Sequence, residues 1–370
     1  MPGESTYTST DASFWTSGFF PGSLYLLRER QRKWPDKTSS EVHSLRLQFA
    51  SRWWSHNLHQ QASLQGTHDL GFLIQPWTQR GWELDGDRQC YDSLVTAAYG
   101  LAERFDPKIG CIRSWDTCFT KRYSFADPSE DFLVIIDNMM NLDLLYYVSE
   151  LVEDQTLSNI ATRHAFTSMN AHIREDNSTC HVVNFDPTTG RIKQRMTNQG
   201  YSDESCWSRG QAWGITGYAQ CYHRTKDDRF LQKSIELAEY FLSHLPKDGV
   251  PYWDFDAPKS GPRDTSAAMI AAYGLLLLHE SINGDEKFLA DALRLVGAVC
   301  ENWLSPEARF VASGGGEAPG VDLGGHDTIL LGATINNYEF APRRWADHGL
   351  VYADYYFLLV GNKLLEMGLA

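Results

Sequence analysis

Apolar residues recur every three or four positions along most of this chain, a spacing that is typical of amphipathic helices. The pattern is clearest in Arg229–Leu245, where five apolar side chains fall on one helical face. About ten or eleven helices are predicted in all. The others cover residues 24–30, 41–60, 67–76, 90–105, 138–149, 157–174, 208–225, 265–279, 289–303 and 352–366.

Several local signals set the expected helix boundaries. Gly18 and Pro21-Gly22 predict turns before the first helix. Thr67 is placed to cap a helix that Pro76 ends or kinks, and Asp264 is placed to cap the helix that follows it. In residues 41–60, five side chains near helical spacing predict one apolar face: Val42, Leu45, Phe49, Trp53 and His56.

Strand signals are few, so the chain is predicted to be all-α. The exception is the run from Cys180 to Ile192, where a β-prone stretch, turn residues and a return predict a hairpin. No compositional break marks a linker, and we expect residues 1–370 to form one domain. Helix hairpins arranged in a circle, an α/α barrel, would put alternate long loops at one rim. An open helical solenoid would give the same pattern.

Asp137 is the most unusual polar residue in the sequence. It follows the apolar run from Phe132 to Ile136 and precedes an apolar helix. A lone carboxylate in such surroundings is costly to ionise, so either it caps a helix or its pKa is raised for chemistry. The apolar residues on both sides favour the second interpretation.

Three further motifs carry polar or aromatic groups that helix packing does not require. Trp15 and Phe19 form either a buried aromatic cluster or a wall for a sugar ring. His68 and Asp69 either support a helix start or supply a second carboxylate facing Asp137.

The third motif runs from Gln199 to Trp213. Trp207 and Trp213 fit a helix-packing stripe, but Arg209 between them is harder to explain in that way. A guanidinium beside two indoles can clamp a carboxylate through two parallel hydrogen bonds. His181, on the predicted hairpin, is placed to join it.

Composition narrows the possible partners. The net charge of −14 argues against nucleic acid and anionic membranes. No apolar run is long enough to span a bilayer, and the first residues lack a signal-peptide core, which favours a cytoplasmic location. Seven scattered Cys residues suit reduced thiols. Metal motifs, phosphate-binding loops and dinucleotide fingerprints are missing from the sequence, so no metal or other cofactor is expected.

Taken together, the motifs resemble those of the unsaturated glucuronyl hydrolases, glycoside hydrolase family 88, in the same order over nearly the whole chain. They are FWTSGFFPG, THDLGF, DNMMNL, GYSDESCWSRGQAW, WDFDAP, RDTSAAMIAA and ADYYFL. The resemblance implies an (α/α)₆ barrel with a small β-hairpin and long rim loops. It also implies hydration of the C4=C5 double bond in the terminal uronic acid of lyase-generated oligosaccharides, after which the hemiketal collapses and releases the neighbouring sugar.

The resemblance also implies residue roles. Asp137 would be the general acid and base, with Asp69 as its partner carboxylate. Eight positions would bind the substrate: Trp15, Phe19, His68, His181, Gln199, Trp207, Arg209 and Trp213. The expected partner is a small anionic oligosaccharide, and the expected assembly is a monomer or weak homodimer. Two other functions fit the sequence, an unsaturated rhamnogalacturonyl hydrolase acting on pectin fragments and a non-catalytic sugar-binding barrel.

Overall fold

The structure is a computed structural model that describes residues 7–38, 42–282, 286–311 and 320–370. Twelve α-helices lie within these ranges. They are α1 (Phe19–Lys33), α2 (Ser44–Ser55), α3 (Leu70–Leu73), α4 (Gln75–Asp85), α5 (Arg88–Ala102), α6 (Leu142–Val152), α7 (Gln155–His172), α8 (Ser208–Thr225), α9 (Asp228–Ser243), α10 (Thr265–Ser281), α11 (Glu286–Asn302) and α12 (Val351–Glu366).

The helices form an α/α barrel, as the family resemblance implies, and not the open solenoid that the helix pattern also allowed. An inner ring runs through α1, α4 with its leading turn α3, α6, α8, α10 and α12, and α12 closes the ring against α1. Outside it lie α2, α5, α7, α9 and α11, each following its inner partner in the chain. The inner helices α8 and α10 are buried on nearly every side, which explains why their sequences lack a polar face.

The barrel brings the candidate residues to one rim. Inner and outer helices alternate along the chain, so all inner helices run in the same direction and their N-termini share one end of the barrel. Asp69 directly precedes α3, Asp137 precedes α6, Trp207 precedes α8 and Asp264 precedes α10. Motifs that are far apart in sequence therefore meet around a single opening.

The predicted hairpin is confirmed as β6 and β7, and β5 adds a third antiparallel strand to it. Three two-stranded ribbons complete the strands of the described residues. The strands are β1 (Phe105–Asp106), β2 (Cys111–Ile112), β3 (Cys118–Phe119), β4 (Ser124–Phe125), β5 (Phe132–Ile135), β6 (Val182–Phe185), β7 (Ile192–Met196), β8 (Arg309–Val311) and β9 (Gly320–Asp322). Strand β5 is buried along its whole length and leads into a 3₁₀ helix, Ile136–Met140, that carries Asp137.

Of the two turns predicted before α1, the one at Gly18 is confirmed and the one at Pro21-Gly22 is wrong. The helix already begins at Phe19, so Pro21 and Gly22 lie in its first turn. Proline is tolerated there because the first helical N–H groups have no intrahelical partner. Pro76 likewise lies in the first turn of α4. The helix is interrupted before it, between Leu73 and Gln75.

The apolar face predicted for residues 41–60 does not pack on the barrel. Leu45, Phe49 and Trp53 are each about two-thirds exposed. The buried side of α2 consists instead of Leu47, Ser51 and Ser55. Glu41 lies outside the described residues. Helical spacing identified the helix correctly, but it did not determine which face meets the core.

Two predictions from composition can be compared with the structure. All seven cysteines fall in the described ranges, and each is a free thiol. None of the described helices is long and apolar enough to cross a membrane.

Candidate active site

Asp137 lies near the start of the 3₁₀ helix but caps no helix. Its side chain makes no capping hydrogen bond to that helix or to α6, which excludes the N-cap interpretation. The residue is 9% exposed, and Oδ1 has no hydrogen-bond partner among the described residues. Burial raises the pKa of Asp137 to about 6; nearby His68 and Arg209 oppose the rise, and Asp69 adds to it. Such a carboxyl can hold a proton close to neutral pH.

Asp69 and His68 stand at the rim just before α3. Thr67 Oγ1 donates to Asp69 Oδ2 at 2.6 Å, and the Asp69 N–H donates back to Thr67 Oγ1. His68 Nε2 lies 3.3 Å from Asp69 Oδ1. Although Asp69 occupies the N-cap position of α3, its side chain caps nothing. Its carboxylate is held by a hydroxyl and an imidazole, at a position where its charge acts on Asp137.

Ser114 ties the two acidic segments together, a role that the sequence did not reveal. Its Oγ accepts a hydrogen bond from the Ile135 N–H at 2.9 Å and lies 3.2 Å from His68 Nδ1. Ser114 is fully buried, so its own proton needs an acceptor, and His68 Nδ1 is in position to take it. The Nε2 proton of His68 then points to Asp69.

His181 presents a fixed N–H to Asp137. The backbone N–H groups of Asn198 and Gln199 both donate to His181 Nδ1, at 3.1 and 3.3 Å. Nδ1 is therefore an acceptor and Nε2 carries the proton. Nε2 lies 3.8 Å from Asp137 Oδ1 and has no partner among the described residues. Burial lowers the pKa of His181 well below its usual value, so the ring stays neutral.

Protein acceptors hold the Arg209 guanidinium through its two terminal nitrogens. It is fully buried, and Nη1 donates to Asp264 Oδ2 at 2.8 Å and to the Thr334 carbonyl. Nη2 donates to the Ile335 carbonyl at 2.6 Å. Only Nε lacks a partner in the described part of the chain. These contacts use both N–H groups of Nη1 and one of Nη2, so the edge formed by Nε and the second N–H of Nη2 is the one that a substrate carboxylate can meet. The carboxylate clamp stays a prediction.

Aromatic rings line the space around Arg209. The guanidinium lies 4.4 Å from the Trp207 ring centre and 5.2 Å from that of Tyr352. His181 packs on the other side of Trp207, with ring centres 4.5 Å apart. Tyr352, which sequence reasoning missed, stacks on half-buried Trp15 at 5.0 Å. The only sequence signal for it was the presence of three tyrosines, Tyr352, Tyr355 and Tyr356, near the start of α12.

Two predicted aromatic positions sit deeper than a sugar platform. Phe19 is completely buried and packs against Phe72 and Trp15, so it supports the Trp15 ring. Trp213 is also fully buried and packs on Phe72, and its indole N–H has no partner among the described residues. Gln199 connects two loops at the rim. Its side-chain Nε2 donates to the Ile335 carbonyl, and its backbone carbonyl accepts from the Trp253 indole N–H.

Several buried donors at and below the site lack a partner among the described residues. They are His181 Nε2, which lies 3.8 Å from Asp137 Oδ1, and Trp207 Nε1, Arg209 Nε and Trp213 Nε1 in the segment 207–213. Buried donors are nearly always paired, so this cluster calls for a ligand or water that is rich in acceptors. A polyhydroxylated anion has that chemistry, and Asp137 is placed to exchange a proton with it.

Metal-binding geometry is not found at this rim or elsewhere in residues 7–38, 42–282, 286–311 and 320–370. No group of three or more His, Cys, Asp or Glu side chains there is arranged to hold an ion. The carboxylates at the rim instead pair with imidazole, hydroxyl and guanidinium groups.

Comparison with known proteins gives consistent matches over nearly the full chain. No protein-family model matches it. The chain is 35% identical over 349 residues to the unsaturated glucuronyl hydrolase of Formosa agariphila, covering 93% of this chain and 78% of that protein. It is 31% identical over 361 residues to the unsaturated chondroitin disaccharide hydrolase of Streptococcus pneumoniae, covering 96% and 83%.

Solved structures match as well. A crystal structure described as an unsaturated glucuronyl hydrolase specific for heparin superposes with a TM-score of 0.79 at 30% sequence identity. The match covers 97% of this chain and 88% of that one. Both the sequence and the barrel are therefore shared with these proteins.

Proposed function

Because this chain belongs to the family of unsaturated glucuronyl hydrolases, we propose that it hydrates the C4=C5 bond of a terminal unsaturated glucuronic acid, with Asp137 as proton donor. The observation that carries this assignment is the state of Asp137. Its carboxyl is buried and has no partner at Oδ1 among the described residues, its pKa is raised to about 6, and it faces the neutral N–H of His181.

The reaction begins with protonation of C4. The C4=C5 bond is part of an enol ether, so when Asp137 gives its proton to C4, positive charge develops on C5 and the ring oxygen. Water then adds to C5, and the ionised Asp137 accepts the proton that the water releases. The resulting C5 hemiketal opens to a ketone, and the exposed hemiacetal at C1 releases the neighbouring sugar.

Other residues orient the sugar and balance charge. Asp69, fixed by Thr67 and His68, is proposed to hydrogen-bond ring hydroxyls and to favour the protonated form of Asp137. Half-buried Trp15, supported by Tyr352, is proposed to offer a ring face for packing. The free donors of Trp207 and Arg209 are proposed to meet the uronate carboxylate, with Arg209 acting through Nε and its overall charge.

The substrates are proposed to be glycosaminoglycan fragments. Relatives at similar identity are described as acting on unsaturated chondroitin disaccharides or as specific for heparin. The free thiols, six of them buried, support a reducing location, which we propose to be the cytoplasm. We propose that the protein is a monomer or weak homodimer.

The test is loss of the ultraviolet absorbance of the conjugated double bond. Purified protein is incubated with unsaturated disaccharides from chondroitin, hyaluronan, heparin, gellan and pectin. Saturated disaccharides of the same composition are the control and should not react. In heavy water, the product should carry one deuterium at C4, because protonation there is the first step.

The Asp137→Asn variant tests the proton donor. We expect its kcat to fall by about a thousandfold, in the range that general acid catalysis contributes. A folded variant that retains the rate of the natural protein would show that another group protonates the substrate.

A further inference from the structure

Arg209 and Asp264 form an ion pair with no exposed surface on either residue. Asp264 Oδ2 accepts from Arg209 Nη1 at 2.8 Å. Its other oxygen, Oδ1, caps α10 by accepting from the Ser266 N–H, and it also accepts from the Thr334 N–H. Asp264 therefore fixes the guanidinium through a carboxylate that is itself held at the end of an inner helix.

The pair determines which part of Arg209 faces the site. Nη1 and Nη2 turn towards Asp264 and the carbonyls of residues 334 and 335. Nε has no partner among the described residues, and the guanidinium carbon lies beside the Trp207 and Tyr352 rings. The positive charge thus stays close to the catalytic carboxyl, but a buried negative charge compensates it.

The compensation of the Arg209 charge matters for the ionisation of Asp137, because several charged or titratable groups act on this carboxyl from different elements. His68 and Asp69 precede α3, His181 precedes β6, Arg209 lies on α8 and Tyr352 lies on α12. Arg209 is the permanent cation of this group, and an uncompensated cation in a buried site strongly favours ionised carboxylates.

We propose that Asp264 is a positioning residue for catalysis: it neutralises Arg209 and holds its guanidinium in place, so that Asp137 keeps its proton at the pH where it must act. This inference rests on the proposed function. Without Asp264, the guanidinium would favour ionised Asp137, and less of the reactive acid would remain.

The experiment is the pH profile of kcat in an Asp264→Asn variant. Asparagine can still cap α10 through its carbonyl oxygen, but it carries no charge. The alkaline limb of the profile should move to lower pH by about one unit. On the alkaline side of the limb, the rate should therefore fall about tenfold. The double variant Arg209→Gln with Asp264→Asn removes both charges and should bring the limb back close to its original position.

Asp354→Asn is the matched control. Asp354 is likewise a buried carboxylate at the same rim, 2% exposed, and it accepts hydrogen bonds from the Ile329 and Leu330 N–H groups. No cation pairs with it among the salt bridges of the described residues, so its replacement should leave the limb in place. A folded Asp264→Asn protein whose limb superimposes on that of the natural protein would overturn the proposal.

Two further measurements separate the possible failures. Leaving Arg209 unpaired in the core can prevent folding. In that case Arg209→Gln is compared with the double variant. The alkaline limb of the double variant must then lie at lower pH than that of Arg209→Gln. If the natural protein hydrates no unsaturated disaccharide, the proposed function fails. The carboxyl ¹³C titration of Asp137 then tests the inference alone: its midpoint must drop in Asp264→Asn, and an unchanged midpoint refutes it.

Discussion

His181 Nε2 lies 3.8 Å from Asp137 Oδ1, and within the described residues neither atom has a hydrogen-bond partner. Two backbone N–H groups occupy the other ring nitrogen, so the proton on Nε2 is fixed in place. The gap is too long for a good hydrogen bond. It leaves a donor and an acceptor ready to engage a ligand or each other.

Replacing His181 should weaken catalysis, and the loss should be larger when the new side chain has no N–H donor. In His181→Phe the ring is kept and the N–H is lost, and we expect kcat/KM to fall by about a hundredfold. His181→Gln can place an amide N–H in a similar position and should recover part of that loss. Steady-state kinetics on an unsaturated disaccharide measures both. Equal losses in the two variants would show that the N–H has no role.

The pH dependence of the natural enzyme should follow Asp137. Its protonated form is the reactive one, and burial raises its pKa to about 6. We therefore expect kcat/KM to fall about tenfold per pH unit above this value. The limb should be missing from the residual activity of Asp137→Asn. A plateau that continues well above neutral pH would contradict Asp137 as the proton donor.

Stability should respond to the same carboxyl with a predictable sign. A folded pKa of about 6, against 3.8 in the unfolded chain, means that the native state binds more protons between these values. Stability is therefore lost as pH rises through this window, by about 3 kcal/mol. Asp137→Asn should exceed the natural protein in free energy of unfolding by about that amount near pH 8, but not near pH 4. Urea unfolding at both pH values checks this, and equal differences would refute it.

Ser114→Ala should impair catalysis beyond its effect on stability. It removes the partner of the Ile135 N–H and of His68 Nδ1, at a cost of about 1 to 2 kcal/mol. His68 is then free to change tautomer, so kcat should drop several-fold. Ser93→Ala is the matched control, because Ser93 Oγ bonds His59 Nδ1 at 2.8 Å outside the site. Similar kcat losses in the two variants would assign Ser114 a purely structural role.

Local patterns were sufficient for the helices and for the order of the motifs. The predicted helix over 208–225 has the bounds of α8, and Asp264 caps α10 as expected. Hydrophobic spacing and capping act over a few residues, so the sequence carries them directly. The isolated carboxylate at 137 was also visible, because an apolar stretch on each side already predicts burial.

Side-chain partners and burial depend on contacts between distant segments of the chain. Arg209 bonds the carbonyls of residues 334 and 335, and no spacing within its own motif indicates that. Phe19 became core because Phe72 and Tyr352 surround it, and α2 exposes its apolar face because the barrel packs against the other side. Spacing and capping within the sequence were enough to predict which helices form and which polar groups are unusual. The partners and protonation of those polar groups, and the buried faces of those helices, depend on packing between residues far apart in the chain, so they become visible in the folded structure alone.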